Sequence, residues 1–127
     1  MNKKEHLIWF EKADDDEESI KILLKEGGPP STACFLAQQM AEKYIKGLLI
    51  FHGVMAEKTH DLLKLSAEVQ KFTPEILQAT ESLGTLNRYY IGGRYPGDFP
   101  VFSRKEAEQA LDYAQHLKRI SIRQTKA

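Results

Sequence analysis

Across STACFLAQQMAEKYIKGLLIFH, residues 31–52, the polar residues Gln38, Gln39, Glu42, Lys43 and Lys46 all fall on one side. At 100° per residue they span only about 140° of a helix, and the rest of its surface is almost wholly apolar or small. A helix with so wide an apolar face cannot lie on the outside of a domain. Several neighbours must cover it, so the chain has to be built around this segment.

The flanking sequence supplies those neighbours as further helices. From Glu5 to Glu26 the apolar positions Leu7, Phe10, Ala13, Ile20 and Leu24 recur at helical spacing with a weak middle. Gly27-Gly28-Pro29-Pro30 stops that helix, because glycine accepts the left-handed conformation at a helix end and proline cannot continue the ladder. Ser31 then offers an N-cap for the central helix, and Gly53 closes it. Thr59 is positioned to cap a third helix through about Lys71, with Asp61 in its first turn, where the helix dipole favours a negative charge. Thr73-Pro74-Glu75 starts a fourth, whose stripe is Ile76, Leu83, Leu86 and Tyr90. Ser103 and Glu106 form a capping box for the last helix, which buries Ala107, Ala110, Leu111, Ala114, Leu117 and Ile120 and ends near Arg123. No alternating strand pattern or internal repeat appears. The expected fold is all-α, a five-helix up-and-down antiparallel bundle, with residues 1–127 as one domain and a core over about 5–122.

Composition narrows the function classes. With 18 basic and 18 acidic residues the chain has no general polyanion-binding surface, although a local basic patch is compatible with that balance. The acidic run Asp14, Asp15, Asp16, Glu17 and Glu18 reads as a solvated helix face. The single cysteine, Cys34, allows no intrachain disulfide and sits among apolar residues as a buried small hydrophobe. No signal-peptide core and no apolar window of the ~20 residues needed to cross a bilayer is present, so a cytoplasmic protein without membrane contact is expected.

The catalytic inventory is thin. His6, His52, His60 and His116 stand apart, none with a second ligand at the spacing of a metal-binding helix, and no Gly-Lys-Ser/Thr phosphate loop occurs, so neither metal nor cofactor is expected. One segment differs in kind: residues 87–100, NRYYIGGRYPGDFP. Its glycines and prolines define a shaped loop, its arginines present planar forks suited to phosphate or carboxylate, and its tyrosines present stacking faces. Two readings stand. In one, Arg94 pairs with Asp98 or Asp61 while Tyr90 and Tyr95 seal the bundle end; in the other, the loop holds a nucleotide or an RNA base. His60 and Asp61 likewise either make only the first turn of the third helix or face the loop and complete a polar pocket. Lys43 and Lys46 are solvated, or serve a phosphate if their side lines a groove.

Three stretches together resemble the HEPN domain family: CFLAQQMAEKYIKGLLIFHG, KTHDLLKL and LNRYYIGGRYPGDFP, in order and spanning roughly residues 5–122. The resemblance implies a five-helix bundle that commonly forms homodimers, with a groove near the dimer contact. Many such domains are metal-independent ribonucleases with an Arg-x4–6-His motif, and several are toxins beside a small nucleotidyltransferase antitoxin. This chain departs from that motif: no histidine follows Arg88, Arg94, Arg104 or Arg119 at the required spacing, so the proton-transfer partner beside the cation is missing. The branch that keeps the Arg-Tyr-Pro loop implies instead a non-catalytic nucleotide-binding protein acting with a minimal nucleotidyltransferase. In that reading Arg94 and Arg88 hold phosphate, Tyr89 or Tyr95 stacks on a base, His60 and Asp61 orient the loop or bond the ligand, and Lys43 or Lys46 adds charge. The alternatives are a ribonuclease toxin that draws on His60, with RNA as its partner, and a purely structural helical interaction module.

Overall fold

Gly27 adopts φ 73°, and the N–H groups of Gly27 and Gly28 both return to the Leu23 carbonyl, so the first helix ends where the Gly-Gly-Pro-Pro run requires. In the computed structural model, which describes residues 4–126, the helices are α1 (Glu5–Glu26), α2 (Pro30–Phe51), α3 (Leu62–Val69), α4 (Thr80–Asn87) and α5 (Arg104–Thr125). They form the up-and-down bundle expected. No strand occurs among the described residues, and no helix among them is long and apolar enough to cross a membrane. The first three residues and Ala127 of the expected domain lie outside the described part.

α2 is the axis. It packs against α1, α3, α4 and α5, and its Met40, Tyr44, Ile45, Leu48 and Leu49 are fully buried. Ile20 of α1, Leu62 and Leu65 of α3, Leu83 and Leu86 of α4 and Leu117 of α5 close around it. Side chains of this size each contribute about 1.5–3 kcal/mol by leaving water, so the wide apolar face of α2 is the chief source of stability.

Local signals differ from tertiary outcome at four places. Ser31 does not cap α2: Pro30 takes the first helical position behind Pro29, and the Ser31 hydroxyl instead accepts from the Phe102 N–H at 2.9 Å, tying α2 to the segment before α5. Asp61, not Thr59, caps α3, its carboxylate accepting from the N–H groups of Leu63 and Lys64. The fourth helix is split into a 3₁₀ turn, Pro74–Ala79, and α4. Ile76 and Ala79, three apart, are both buried, and a three-residue repeat stacks them on one side where an α-helix would splay them. The acidic run is not simply solvated: Asp14 accepts from the Tyr44 hydroxyl, Asp16 lies 2.6 Å from Lys43, and buried Glu17 lies 2.7 Å from Lys118. The capping box at Ser103 forms as expected.

Candidate functional site

The polar arc of α2 is directed into the protein. Gln38, Glu42 and Lys46, four residues apart and so stacked along one line, are all buried. Gln38 donates to the His60 carbonyl at 2.9 Å, fixing the backbone ahead of α3. Glu42 divides its carboxylate: Oε2 accepts from Lys46 Nζ at 3.0 Å, and Oε1 lies 2.8 Å from His60 Nδ1. Lys46 Nζ lies in turn 5.9 Å from the Trp9 ring centroid, within range of a cation–π contact. Every member of this line is partnered, as a buried charged group must be.

The line ends at a solvent-open cleft of about 540 Å³. His60 emerges there, its ring stacked on Tyr90 at 4.3 Å between centroids and 17° between planes. Asp61 and Asn87 also line it: Asn87 accepts from the Leu62 N–H and donates to Asp61, so the start of α3 and the end of α4 are clasped together. Lys58 and Arg94 line the rim, and among the described residues neither is in an ion pair. The loop that carries Arg94 depends on Gly92. A Cβ there would stand 2.0 Å from the Tyr90 hydroxyl oxygen, so only glycine lets that ring lie back over the loop and face His60. The cleft thus offers two unpaired cations, an aromatic platform and one imidazole held by a buried carboxylate.

The structure brings three of the residues singled out in the sequence, Arg94, His60 and Asp61, into one place. Arg94 pairs with neither Asp98 nor Asp61. Arg88 is exposed at the end of α4 and Tyr95 is 80% exposed, and neither lines the cleft. Tyr89 is 2% exposed and packed edge-on against Phe102, its pKa raised by burial, so it offers a ligand no face; the platform is Tyr90, one residue on. Neither Lys43 nor Lys46 lines the cleft: Lys43, partly exposed, is bonded to Asp16, and buried Lys46 is bonded to Glu42. Sequence reasoning missed Glu42 as the partner of His60, and Asn87 and Lys58 as lining. The four-residue repeat Gln38, Glu42, Lys46 on a mostly apolar helix was the available signal. No group of three or more His, Cys, Asp or Glu among the described residues is arranged to hold a metal ion.

Comparison with known proteins gives a consistent result. The HEPN domain model matches residues 6–124. The protein TT1696 from Thermus thermophilus is similar in structure with a TM-score of 0.83 and 32% identity, over 94% of this chain and 97% of that one. ST0689, described as an archaeal HEPN homologue, shares the fold at a TM-score of 0.73 and 24% identity, again over 94% and 97% of the two chains. No protein of curated function matches.

Proposed function

This chain belongs to the HEPN domain family, and from that premise we propose that it is a non-catalytic nucleotide-binding protein, a homodimer that works beside a small nucleotidyltransferase. The observation that carries the reading is the cleft itself: Arg94 and Lys58, without carboxylate partners, line it together with the stacked His60–Tyr90 pair. A guanidinium and an ammonium suit phosphate oxygens, and a flat aromatic surface of this kind suits a base. Asp61, already committed to capping α3 and to Asn87, acts by holding the loop and helix start in register. Arg88 and Tyr95 flank the cleft in sequence and would reach a ligand only by extending over it.

The test is a thermal-shift screen of the purified protein against ATP, GTP, CTP, UTP and their monophosphates, repeated with Arg94→Ala. Ligand at 100 times its dissociation constant stabilises the fold by about 2.7 kcal/mol, which a melt resolves. Stabilisation lost in the variant supports the site; no shift with any nucleotide sinks the reading and favours a purely structural module.

A second reading, an RNA-cleaving toxin, draws on one specific observation: His60 and Arg94 line the same cleft although no Arg-x4–6-His motif is present. Full-length RNA after prolonged incubation with the protein would dispose of it, whereas cleavage abolished by His60→Ala would favour it over simple binding.

A further inference from the structure

A buried ion pair is a costly way to fill the flank of a helix, since well-packed apolar residues of the same size commonly serve stability as well or better. Glu42 and Lys46 have side chains only 6% and 10% exposed. Nothing in the core requires a charge there, as α2 already has its apolar contacts on the other faces. What the pair does have is an outlet: the second oxygen of Glu42 is the hydrogen-bond partner of His60 Nδ1. Lys46 occupies the first oxygen and fixes the carboxylate in rotation, with Trp9 at cation–π distance from the Lys46 ammonium.

An ionised carboxylate can only accept, so the contact requires a proton on Nδ1. In the neutral imidazole that choice leaves Nε2 with its lone pair, a hydrogen-bond acceptor. The ring is held from two sides, by Glu42 on the Nδ1 edge and by Tyr90 against one face, yet the side chain is still 49% exposed. Neither contact involves Nε2, and no hydrogen bond from a described residue engages that atom. The cleft accordingly presents an acceptor beside two cations.

We propose that Glu42, locked by Lys46, is a positioning residue that sets the tautomer of His60 and so makes the cleft selective for phosphate esters carrying a neighbouring hydroxyl donor, that is, for ribonucleotides over 2′-deoxyribonucleotides. The inference rests on the nucleotide reading for its ligand and goes beyond it in naming what the site distinguishes. Lys58 and Arg94 take the phosphate, and they treat both sugars alike. His60 Nε2 takes the hydroxyl proton of the ribose as a hydrogen bond, which the deoxy sugar lacks. An acceptor left without its donor on binding is what penalises the deoxy compound.

Two measurements on the wild-type protein test this, with a variant as third. Long-range proton–nitrogen spectra of the free protein should show the His60 proton on Nδ1 with Nε2 bare; a ring protonated on Nε2, whether alone or together with Nδ1, overturns the proposal whatever binds. Calorimetry with adenosine 3′-phosphate and its 2′-deoxy counterpart should favour the ribose form by roughly tenfold, the size of one good hydrogen bond. Equal affinity for the two, or no binding of either by a protein that another nucleotide stabilises, overturns this inference while leaving the nucleotide reading intact, whereas no binding of any nucleotide defeats both. Glu42→Gln keeps the shape but presents an amide that can donate as well as accept, so the tautomer preference and the ribose preference should fall together towards unity while phosphate affinity persists. A variant that binds more weakly overall but keeps the tenfold ratio would show Glu42 to be merely structural.

Discussion

Replacing Lys118 with methionine separates two roles for the acidic residues of α1, solubilising the surface or holding the bundle together. Lys118 Nζ lies 2.7 Å from Glu17 Oε1 and 3.2 Å from Asp14 Oδ1, and methionine keeps an unbranched stem without the charge. The Glu17 carboxylate, in a residue 7% exposed, would retain Gln115 Nε2 at 3.0 Å and the exposed Lys21 at 3.8 Å. A hydrogen bond to a charged group contributes about 1.5–3 kcal/mol, and breaking a fully buried pair from one side costs about 3–5 kcal/mol. Because Glu17 keeps two partners and Asp14 keeps the Tyr44 hydroxyl, the expected loss at pH 7 lies at the low end, about 2 kcal/mol.

The pH dependence makes the test sharper. Burial acts to raise the Glu17 pKa, but the bonds from Lys118 and Gln115 and the charges of Lys118 and Lys21 outweigh it, and the carboxyl titrates below its ordinary value of 4.5. A depressed folded pKa gives stability that is present above the unfolded value and lost as pH falls through the folded one. In the variant the share that Lys118 supplies is gone, while Gln115 and Lys21 still hold the carboxylate. The gap between the two proteins should thus stand at about 2 kcal/mol at pH 7 and shrink as pH falls below the ordinary carboxyl value of 4.5. Lys118 itself is raised, its bonds to Glu17 and Asp14 outweighing burial, so its contribution is complete below the ordinary lysine value and fades only at alkaline pH. Asp16 is raised by burial, with Lys43 opposing, and loses its charge at higher pH than usual in both proteins, so it cancels in the difference. Urea unfolding followed by circular dichroism at several pH values measures the gap. A gap constant from neutral to acid pH, or a variant as stable as the wild type, would refute the reasoning.

Two further outcomes follow from single contacts. Gly92→Ala puts a Cβ where the Tyr90 hydroxyl lies and drives that ring off His60, so nucleotide affinity by calorimetry should fall about tenfold with a melting temperature little changed; unaltered affinity would show the stack to be irrelevant to binding. Cys34 is fully buried and its thiol is pushed up to about 11 by burial and then by the Glu106 charge, so iodoacetamide at pH 8 should label the urea-unfolded chain and leave the native protein unmodified by mass spectrometry.

The helices were legible because periodicity and caps are local properties, and the places that were misread are those where a distant partner displaces a neighbour. Ser31 has the right residue type for an N-cap, but its hydroxyl is taken by Phe102, 71 residues away, while Pro30 begins the helix without it. The weak middle of the α1 stripe has the same origin. Glu17 stands where an apolar residue would continue the inward face, and it is buried there because α5 brings Lys118 to meet it, while half-exposed Asp14 at the edge of that face meets Tyr44 of α2. From α1 alone, five consecutive acids can only look like a face turned to water.

The site shows the same limit at finer scale. Arg94, His60 and Asp61 were identifiable as polar residue types with a structural and a ligand-binding reading each, and the fold gathers all three at one cleft. Tyr89 and Tyr90 were not separable, because adjacent positions at a helix end differ by about 100° in direction, and which ring is buried depends on where Phe102 and Phe35 lie. Glu42 illustrates why the polar arc of α2 misled. An arc of glutamine, glutamate and lysine on an otherwise apolar helix resembles the solvent side of any amphipathic helix, and only the packing of α1 and α3 over it turns that arc into buried wiring. The bundle then holds two groups of paired charges of different character. Asp14, Glu17 and Lys118 satisfy one another and chiefly fasten α1 to α5, whereas Lys46 and Glu42 leave their last hydrogen bond to a histidine that stands half in solvent beside Arg94. A charge network that closes on itself accounts for stability; one that ends at an open cleft fixes a side chain at the surface, which is the arrangement the proposed ligand site calls for.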